Sequence, residues 1–283
     1  MIIDTQSNES MKKDVAKLFN IKVKELEDQL KETYRLSNIT GYFDSNFLES
    51  ELNIYLNKYK EEIKKLDEIY IYHLTRTIPN DIEKLQSLDE VLLSKNYLTD
   101  ILDKYEITFQ KNGDAIDLYY KGDNYQNKLE SNIHNYNKRE TCLTLKKRLG
   151  QSSIVDKSIN GFCVSPEYTK STGYNSSLRD GPEILKSLSK LFDIPDLIKE
   201  FNEETKYCCV KIKVKLDEIT FENGFDYDIN EKRNFFVKTI LEALLSSLID
   251  NFSFNKGYST CVRFDDDRRN VKIDNITIME QDV

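Results

Sequence analysis

The side chains best suited to chemistry begin at His73, one of only two histidines in the 283-residue chain. His73 closes a short apolar run in the stretch EIYIYHLTRTIPNDI and is followed by Thr75 and Arg76. A neutral imidazole offers one hydrogen-bond donor and one acceptor, and a guanidinium pairs well with phosphate oxygens. These residue types suit a nucleotide site. The alternative that stays open is an imidazole that caps the strand end by bonding a nearby carbonyl oxygen.

Several common catalytic motifs are absent from the sequence. It contains no GxxxxGK phosphate loop, no GxGxxG, no GxSxG nucleophile elbow and no HExxH helix. The five cysteines form no CxxC pair and the two histidines are far apart, so we expect neither a structural zinc site nor a disulfide framework. The cysteines are predicted to be buried thiols.

Three stretches, taken together, carry a family resemblance. They are IYIYHLTR, then GFCVSPEYTKSTGY, then late strands with acidic residues at their ends. In this order they resemble the ADP-ribosyltransferase fold, especially its members with a histidine, a tyrosine and a glutamate in the site. The resemblance implies that His73, with Thr75, holds the ribose and carboxamide of NAD. It also implies that Ser165 takes the place of the family's serine, and that Tyr174 or Tyr168 stacks on nicotinamide.

The implied reaction is ADP-ribosyl transfer, in which NAD is consumed as a substrate. Nicotinamide leaves through an oxocarbenium-like transition state, so the site has to clamp the ribose and place a carboxylate where positive charge develops. Arg76 would pair with the pyrophosphate. The carboxylate is expected at Glu280, at the end of the last strand, or at Glu222, which follows LDEITF, with Glu218 as a further alternative.

The Glu-x-Glu pair Glu49 and Glu51 precedes His73 in the chain, and so does the other such pair, Glu25 and Glu27. This order is wrong for the paired glutamates of arginine-modifying toxins, so that subclass is not expected. The family more broadly implies a bacterial toxin or a phage-defence factor. The expected target of the modification is a macromolecule, either a protein or a nucleic acid.

Composition restricts the partners. The formal charge of −8 disfavours a generic clamp on nucleic-acid backbone, because such a clamp needs concentrated Lys and Arg. The basic stretch LKKRLG is interpreted as a solvated face. The chain lacks an apolar run of about 18 residues, and its first residues lack the apolar region of a secretory signal. We therefore expect a soluble cytoplasmic protein with no membrane contact and no metal.

Hydrophobic periodicity predicts the elements of the first half. Apolar residues recur at three- and four-residue spacing in residues 10–36 and again in 45–67, which together predict a helical hairpin. The β-formers at 69–72 predict a short strand. Pro79 suits the first turn of a helix, which the apolar spacing extends over residues 81–105.

The second half reads as hairpins and helices. Asn112-Gly113 predicts a β-hairpin turn. YCCVKIKVKL predicts a strand with one wet face, and NFFVKTILEALLSSLI predicts a central buried helix. YSTCVRF and NVKIDNITIM predict two final strands.

Antiparallel hairpins mixed with segregated helices predict an α+β fold. We expect a mixed, mostly antiparallel sheet with flanking helices. Residues 1–67 are predicted to form a helical hairpin packed on an ADP-ribosyltransferase-like domain at 68–283. The alternative function is that of a non-catalytic α+β interaction protein whose acidic surface binds a protein partner.

Overall fold

The computed structural model describes residues 1–38, 44–79, 83–153, 159–165, 179–222, 226–248, 260–264 and 270–279. The helices are α1 (Asn8–Leu18), α2 (Val23–Ser37), α3 (Ser45–Lys58), α4 (Lys60–Ile63), α5 (Leu88–Leu93), α6 (Tyr97–Lys104), α7 (Gln126–Asn132), α8 (Arg139–Arg148), α9 (Glu183–Phe192), α10 (Asp196–Glu204) and α11 (Ile229–Leu248). The strands are β1 (Ile2–Ile3), β2 (Glu68–Thr77), β3 (Lys84–Gln86), β4 (Ile107–Asn112), β5 (Ala115–Tyr120), β6 (Asp123–Asn124), β7 (Asn160–Phe162), β8 (Lys206–Lys215), β9 (Ile219–Phe221), β10 (Cys261–Phe264), β11 (Asn270–Lys272) and β12 (Asn275–Ile278).

Backbone hydrogen bonds link the strands into a main sheet and two small sheets. The main sheet has the order β12–β8–β2–β7–β10–β9, with β1 parallel to β2. The small sheets are β11–β3 and β4–β5–β6. The predicted α+β class with mostly antiparallel pairing is confirmed.

The chain divides into two compact units, each built from three separate segments. The first unit comprises Met1–Tyr72, Asn160–Thr172 and Lys211–Asp265. The second comprises His73–Ile159, Gly173–Val210 and Asp266–Val283. Residues 1–67 thus share a unit with parts of the later chain.

The core of the first unit is centred on α11. This helix contacts α1, α2 and α3, and Phe236, Ile240 and Leu244 on its apolar stripe are fully buried. The predicted central buried helix is therefore confirmed. Apolar residues at helical spacing on α2 and α3 are buried as well, namely Leu26, Leu30, Leu48 and Leu52.

The predicted N-terminal helices are interrupted in the structure. The expected helix at 10–36 is two helices, because Asn20, two residues after the end of α1, takes a left-handed φ of 55°. The expected helix at 45–67 is also two helices, because α3 ends at Lys58 and only the short α4 follows it. The ring of Phe19, which follows α1, stacks on that of Tyr59 at 4.1 Å between centroids.

The second unit has its own apolar core. The sheet β4–β5–β6 contributes Ile107, Ile116 and Leu118, which are at most 1% exposed. Helices that precede and follow this sheet in the chain complete the core. Their buried residues are Ile101, Leu102, Leu129, Leu145, Leu185, Leu188 and Leu197. Residues 124–150, which show no firm sequence period, form α7 and α8 here.

Two predictions for the second unit are wrong. The helix expected at 81–105 is replaced by β3, α5 and α6. The side chain of Ser87 caps the start of α5, and that of Asn96 caps the start of α6. The single strand expected in NVKIDNITIM is split into β11 and β12, which pair in different sheets.

The hairpin at residues 107–120 forms as predicted, with its turn shifted by one residue. Asn112 pairs with Ala115, so Gly113 and Asp114 form the turn. Gly113 has a φ of 62°, which a residue with a Cβ rarely adopts.

Among the described helices, none is both long enough and apolar enough to cross a bilayer.

Candidate functional site

The strand that carries His73 is longer than the sequence suggested. β2 does not stop at the polar residues but runs on to Thr77. Successive side chains of a strand point to opposite faces, so His73 and Thr75 share one face and Arg76 lies on the other. Both His73 and Thr75 are half-buried, whereas Arg76 is only 8% exposed.

Arg76 binds the backbone of its own unit. Its Nη1 donates to the Arg179 carbonyl at 2.9 Å, and its Nη2 donates to the carbonyls of Asn202 at 3.0 Å and Thr205 at 2.7 Å. Its Nε donates to Thr205 Oγ1 at 3.2 Å. Burial lowers the pKa of the guanidinium from its ordinary value. The side chain thus ties β2 to the C-terminal end of α10 and to Arg179, which precedes α9. The expected contact of Arg76 with a pyrophosphate stays a prediction.

The strand order of the main sheet bears on the glutamate at the end of the chain. β12 ends at Ile278, two residues before Glu280, and Met279 donates its backbone N–H to the Tyr207 carbonyl on β8 at 2.9 Å. β8 is the neighbour of β2, which carries His73. β12 is therefore two strands away from β2, and two strand spacings amount to about 10 Å. Glu280 itself, like Tyr168 and Tyr174, lies outside the described residues.

Ser165 belongs to the first unit. It is 4% exposed, and its backbone N–H donates to the Thr5 carbonyl at 3.1 Å. It follows β7 by three residues, at the end of the described part of the stretch GFCVSPEYTKSTGY.

Glu222 lies in a row of side chains that crosses the sheet of the first unit. Tyr72 on β2 is opposite Phe162 on β7, and Phe162 is opposite Cys261 on β10. Glu222 directly follows β9 and donates its backbone N–H to the Cys261 carbonyl at 3.1 Å. Residues opposite one another in a sheet share a face, so all four side chains lie on the same face. His73 follows Tyr72 in β2 and points away from this row.

The thiol in this row is poorly suited to nucleophilic chemistry. Burial, and next the charge of Glu222, raise the pKa of Cys261 to about 12. Burial also raises the pKa of Cys163 well above its ordinary value. A thiol with a raised pKa holds little of the nucleophilic thiolate at neutral pH. None of the five cysteines forms a disulfide.

A partly buried polar cluster in the first unit was not predicted from the sequence. Asp4 accepts from the Tyr72 hydroxyl at 3.2 Å and from Lys211 Nζ at 2.8 Å. Thr5, which is fully buried, donates its hydroxyl to the Cys163 carbonyl at 2.8 Å. These contacts join residues more than sixty positions apart, so no local motif could have revealed them. They fasten the N-terminal segment to the sheet.

The basic stretch LKKRLG has acidic partners within the second unit. Lys146 forms an ion pair with Glu130, and Arg148 forms one with Glu183 at 2.6 Å. Lys147 is exposed. Across the described ranges, no group of three or more His, Cys, Asp or Glu side chains is arranged to hold a metal ion.

A surface groove of about 710 Å³ lies between α2 and α3. Its walls carry both signs of charge, from Lys22, Lys24, Lys58, Glu25, Asp28, Glu32 and Glu51. None of the residues that the sequence singled out for NAD binding lines this groove.

The structure therefore supports His73 and Thr75 as neighbours on one strand face, separates Arg76 from that face, and leaves three of the expected site residues outside the described ranges. The chain was compared with family models, with curated proteins and with solved structures, and it matches none of them.

Proposed function

We propose that the protein transfers ADP-ribose from NAD to a macromolecular target. The observation that carries the proposal is that His73 and Thr75 lie half-buried on one face of β2, with β8 and β12 as the next strands of the same sheet. A hydroxyl and an imidazole two residues apart on a strand face offer donors and acceptors to the ribose hydroxyls and the carboxamide. Glu280, two residues beyond β12, is the preferred carboxylate, because the Glu222 row lies on the face of β2 opposite to His73.

In this reaction the bond between C1′ of the ribose and the nicotinamide nitrogen breaks, and the nitrogen keeps the electron pair. A nucleophile of the target attacks C1′ and loses its proton. The glutamate stabilises the positive charge that develops on the ribose, while His73 and Thr75 hold the ring in position. The catalytic contribution of the chain is thus positioning and electrostatic stabilisation.

The proposal includes a biological setting. The family resemblance implies a toxin or a phage-defence factor, and we propose that it acts in the cytoplasm, where free thiols stay reduced. The modified target is a protein or a nucleic acid.

The test measures NAD binding by calorimetry and nicotinamide release by chromatography. We expect His73→Ala to weaken binding or turnover at least tenfold with little change in melting temperature. His134, the other histidine, is exposed and in the second unit, so His134→Ala is the matched control and should behave as the parent. Glu280→Gln should abolish turnover and spare binding, whereas Glu222→Gln should spare both. A lowered melting temperature with unchanged binding and turnover in His73→Ala would show that the imidazole only supports the fold.

A second candidate function is that of a non-catalytic interaction protein with an acidic surface. The observation that favours it is the burial of Arg76, whose guanidinium is bound to backbone carbonyls on the face away from His73. NAD at 100 times its dissociation constant stabilises a protein by about 2.7 kcal/mol. An unchanged melting temperature in millimolar NAD would favour this second function.

A further inference from the structure

The strand β4 forms an open edge in the second unit. It is the terminal strand of the sheet β4–β5–β6, and it pairs with β5 along its whole length, from Ile107 to Asn112. In an antiparallel pair, opposite residues alternate between hydrogen-bonded and non-hydrogen-bonded positions. The backbone groups at every second residue of β4 therefore point away from β5.

The contacts of β5 show which residues these are. Leu118 uses its carbonyl to accept the Tyr125 N–H at 2.7 Å, on the side of β5 away from β4. Its partner across the ladder is Phe109, so this is a non-hydrogen-bonded pair and the Phe109 N–H and C=O point outward. The same holds two residues along, at Lys111. Over the described ranges, no backbone hydrogen bond outside the ladder involves Phe109 or Lys111.

A cleft of about 300 Å³ adjoins this edge. Lys111 lines the cleft together with Asp89 and Glu90 in the first turn of α5 and with Leu93, which is 38% exposed. A strand added to β4 would alternate its side chains between the two sheet faces. Every second side chain would therefore lie on the face of Lys111, toward the two carboxylates.

We propose that the β4 edge binds an extended peptide as an additional strand, with a lysine or arginine side chain in the cleft beside Asp89 and Glu90. In strand addition, main-chain hydrogen bonds supply affinity and pockets for alternate side chains supply selectivity. A second copy of this chain is a poorer occupant, because lysine on an edge strand opposes pairing between identical edges. The proposal is independent of NAD chemistry and concerns a protein partner or a protein substrate.

The probe is an acetylated and amidated heptapeptide that alternates valine with threonine and carries one central lysine. Titration into the ¹⁵N-labelled full chain should shift the amide signals of Phe109 and Lys111. A peptide with glutamate in place of lysine tests the charge. A peptide methylated on alternate backbone nitrogens tests the main-chain bonds. Each change should weaken binding at least tenfold, or about 1.4 kcal/mol.

Two substitutions at one position test the edge from the side of the protein. Lys111→Pro removes an outward N–H and leaves the ladder to β5 intact, because Lys111 occupies a non-hydrogen-bonded position. It should weaken peptide binding at least tenfold, whereas Lys111→Ala keeps the N–H and should bind as the parent does. Glu90→Gln should weaken binding of the lysine peptide and not of the glutamate peptide.

Four results would overturn the proposal. They are no amide shift with the lysine peptide at millimolar concentration, equal binding of the methylated peptide, unchanged binding to a folded Lys111→Pro variant, and a dimer in sedimentation that Lys111→Pro dissociates. The last result would assign the edge to a second copy. The methylated peptide is tested on the parent chain, so the proposal stays testable if Lys111→Pro does not fold.

Discussion

Replacing Arg76 with methionine tests whether the buried guanidinium holds the second unit together. Methionine keeps an unbranched apolar stem and removes the four hydrogen bonds to Arg179, Asn202 and Thr205. The Thr205 hydroxyl retains a partner, because it donates to the Phe201 carbonyl at 2.6 Å. The three carbonyls lose the guanidinium.

The expected cost follows from two opposing effects. A hydrogen bond to a charged group contributes about 1.5–3 kcal/mol net, so four such bonds would contribute well above 5 kcal/mol if the cation were free of cost. Burial of the guanidinium opposes this gain, and it also lowers the pKa of Arg76. Leaving a buried carbonyl without its donor costs about 1–3 kcal/mol, and Arg76→Met deprives three carbonyls of theirs. We therefore expect Arg76→Met to lower the free energy of unfolding by about 3 kcal/mol or more.

Urea denaturation followed by circular dichroism measures this loss as a shift in midpoint at constant slope. Arg139 is exposed on α8 in the same unit, so Arg139→Met controls for the loss of one positive charge and should change stability by less than about 0.5 kcal/mol. Arg76→Lys should fall between the two, because an ammonium cannot reproduce the fork of donors. A loss below about 1 kcal/mol in Arg76→Met would refute the reasoning and return Arg76 to a role in ligand binding.

Three further substitutions test the packing of the first unit. Leu244→Ala should cost about 2–5 kcal/mol in urea unfolding, because the side chain is fully buried on α11, whereas a cost below about 1 kcal/mol would place it at the surface. Thr5→Val should cost about 1–3 kcal/mol by leaving the Cys163 carbonyl without its donor, and an unchanged midpoint would contradict that bond. Burial raises the pKa of Glu242 on α11, the charge of Lys238 opposes this shift, and the charge of Glu49 adds to it. Because the folded state favours the protonated form, its stabilisation is present below the unfolded pKa and is lost as pH rises through the raised pKa. Glu242→Gln should therefore exceed the parent in stability at pH 7 but not near pH 4, and parallel pH profiles would contradict this.

The elements that the sequence predicted correctly have strong, uninterrupted periods. α11 carries its apolar stripe over several turns, and β8 alternates Val210, Ile212 and Val214, all buried, with lysines. In both cases one side of the element is apolar throughout, so burial and local propensity favour the same structure.

The failures arise where a nonlocal partner or a single side chain decides the outcome. The extension of β2 to Thr77 buries Arg76 against residues more than a hundred positions away, which no local period can show. The long helix expected at 81–105 is interrupted because Asn96 bonds the N–H of Thr99 and starts a new helix. Its side chain competes with the continuing helix for backbone groups, and periodicity alone does not register that competition.

The candidate site follows the same division. The sequence predicted that His73 and Thr75 belong to one site, but it placed the end of the strand before them, so their common strand face is a finding of the structure. The opposite orientation of Arg76 depended on where the strand ends, and the row that contains Glu222 depended on the register of four strands. Register is set by pairing between distant segments, which a single sequence does not display.

The assembly of each unit from three chain segments has a consequence for synthesis on the ribosome. α1, α2 and α3 are made early, but the helix that covers their apolar faces, α11, begins at Ile229. At bacterial and eukaryotic elongation rates of about 5–20 residues per second, the N-terminal helices wait roughly 10–40 seconds for that partner. During this interval, apolar side chains such as Leu26 and Leu52 have no completed core in which to be buried. We therefore expect the nascent chain to bind chaperones that shield apolar segments until α11 has been synthesised.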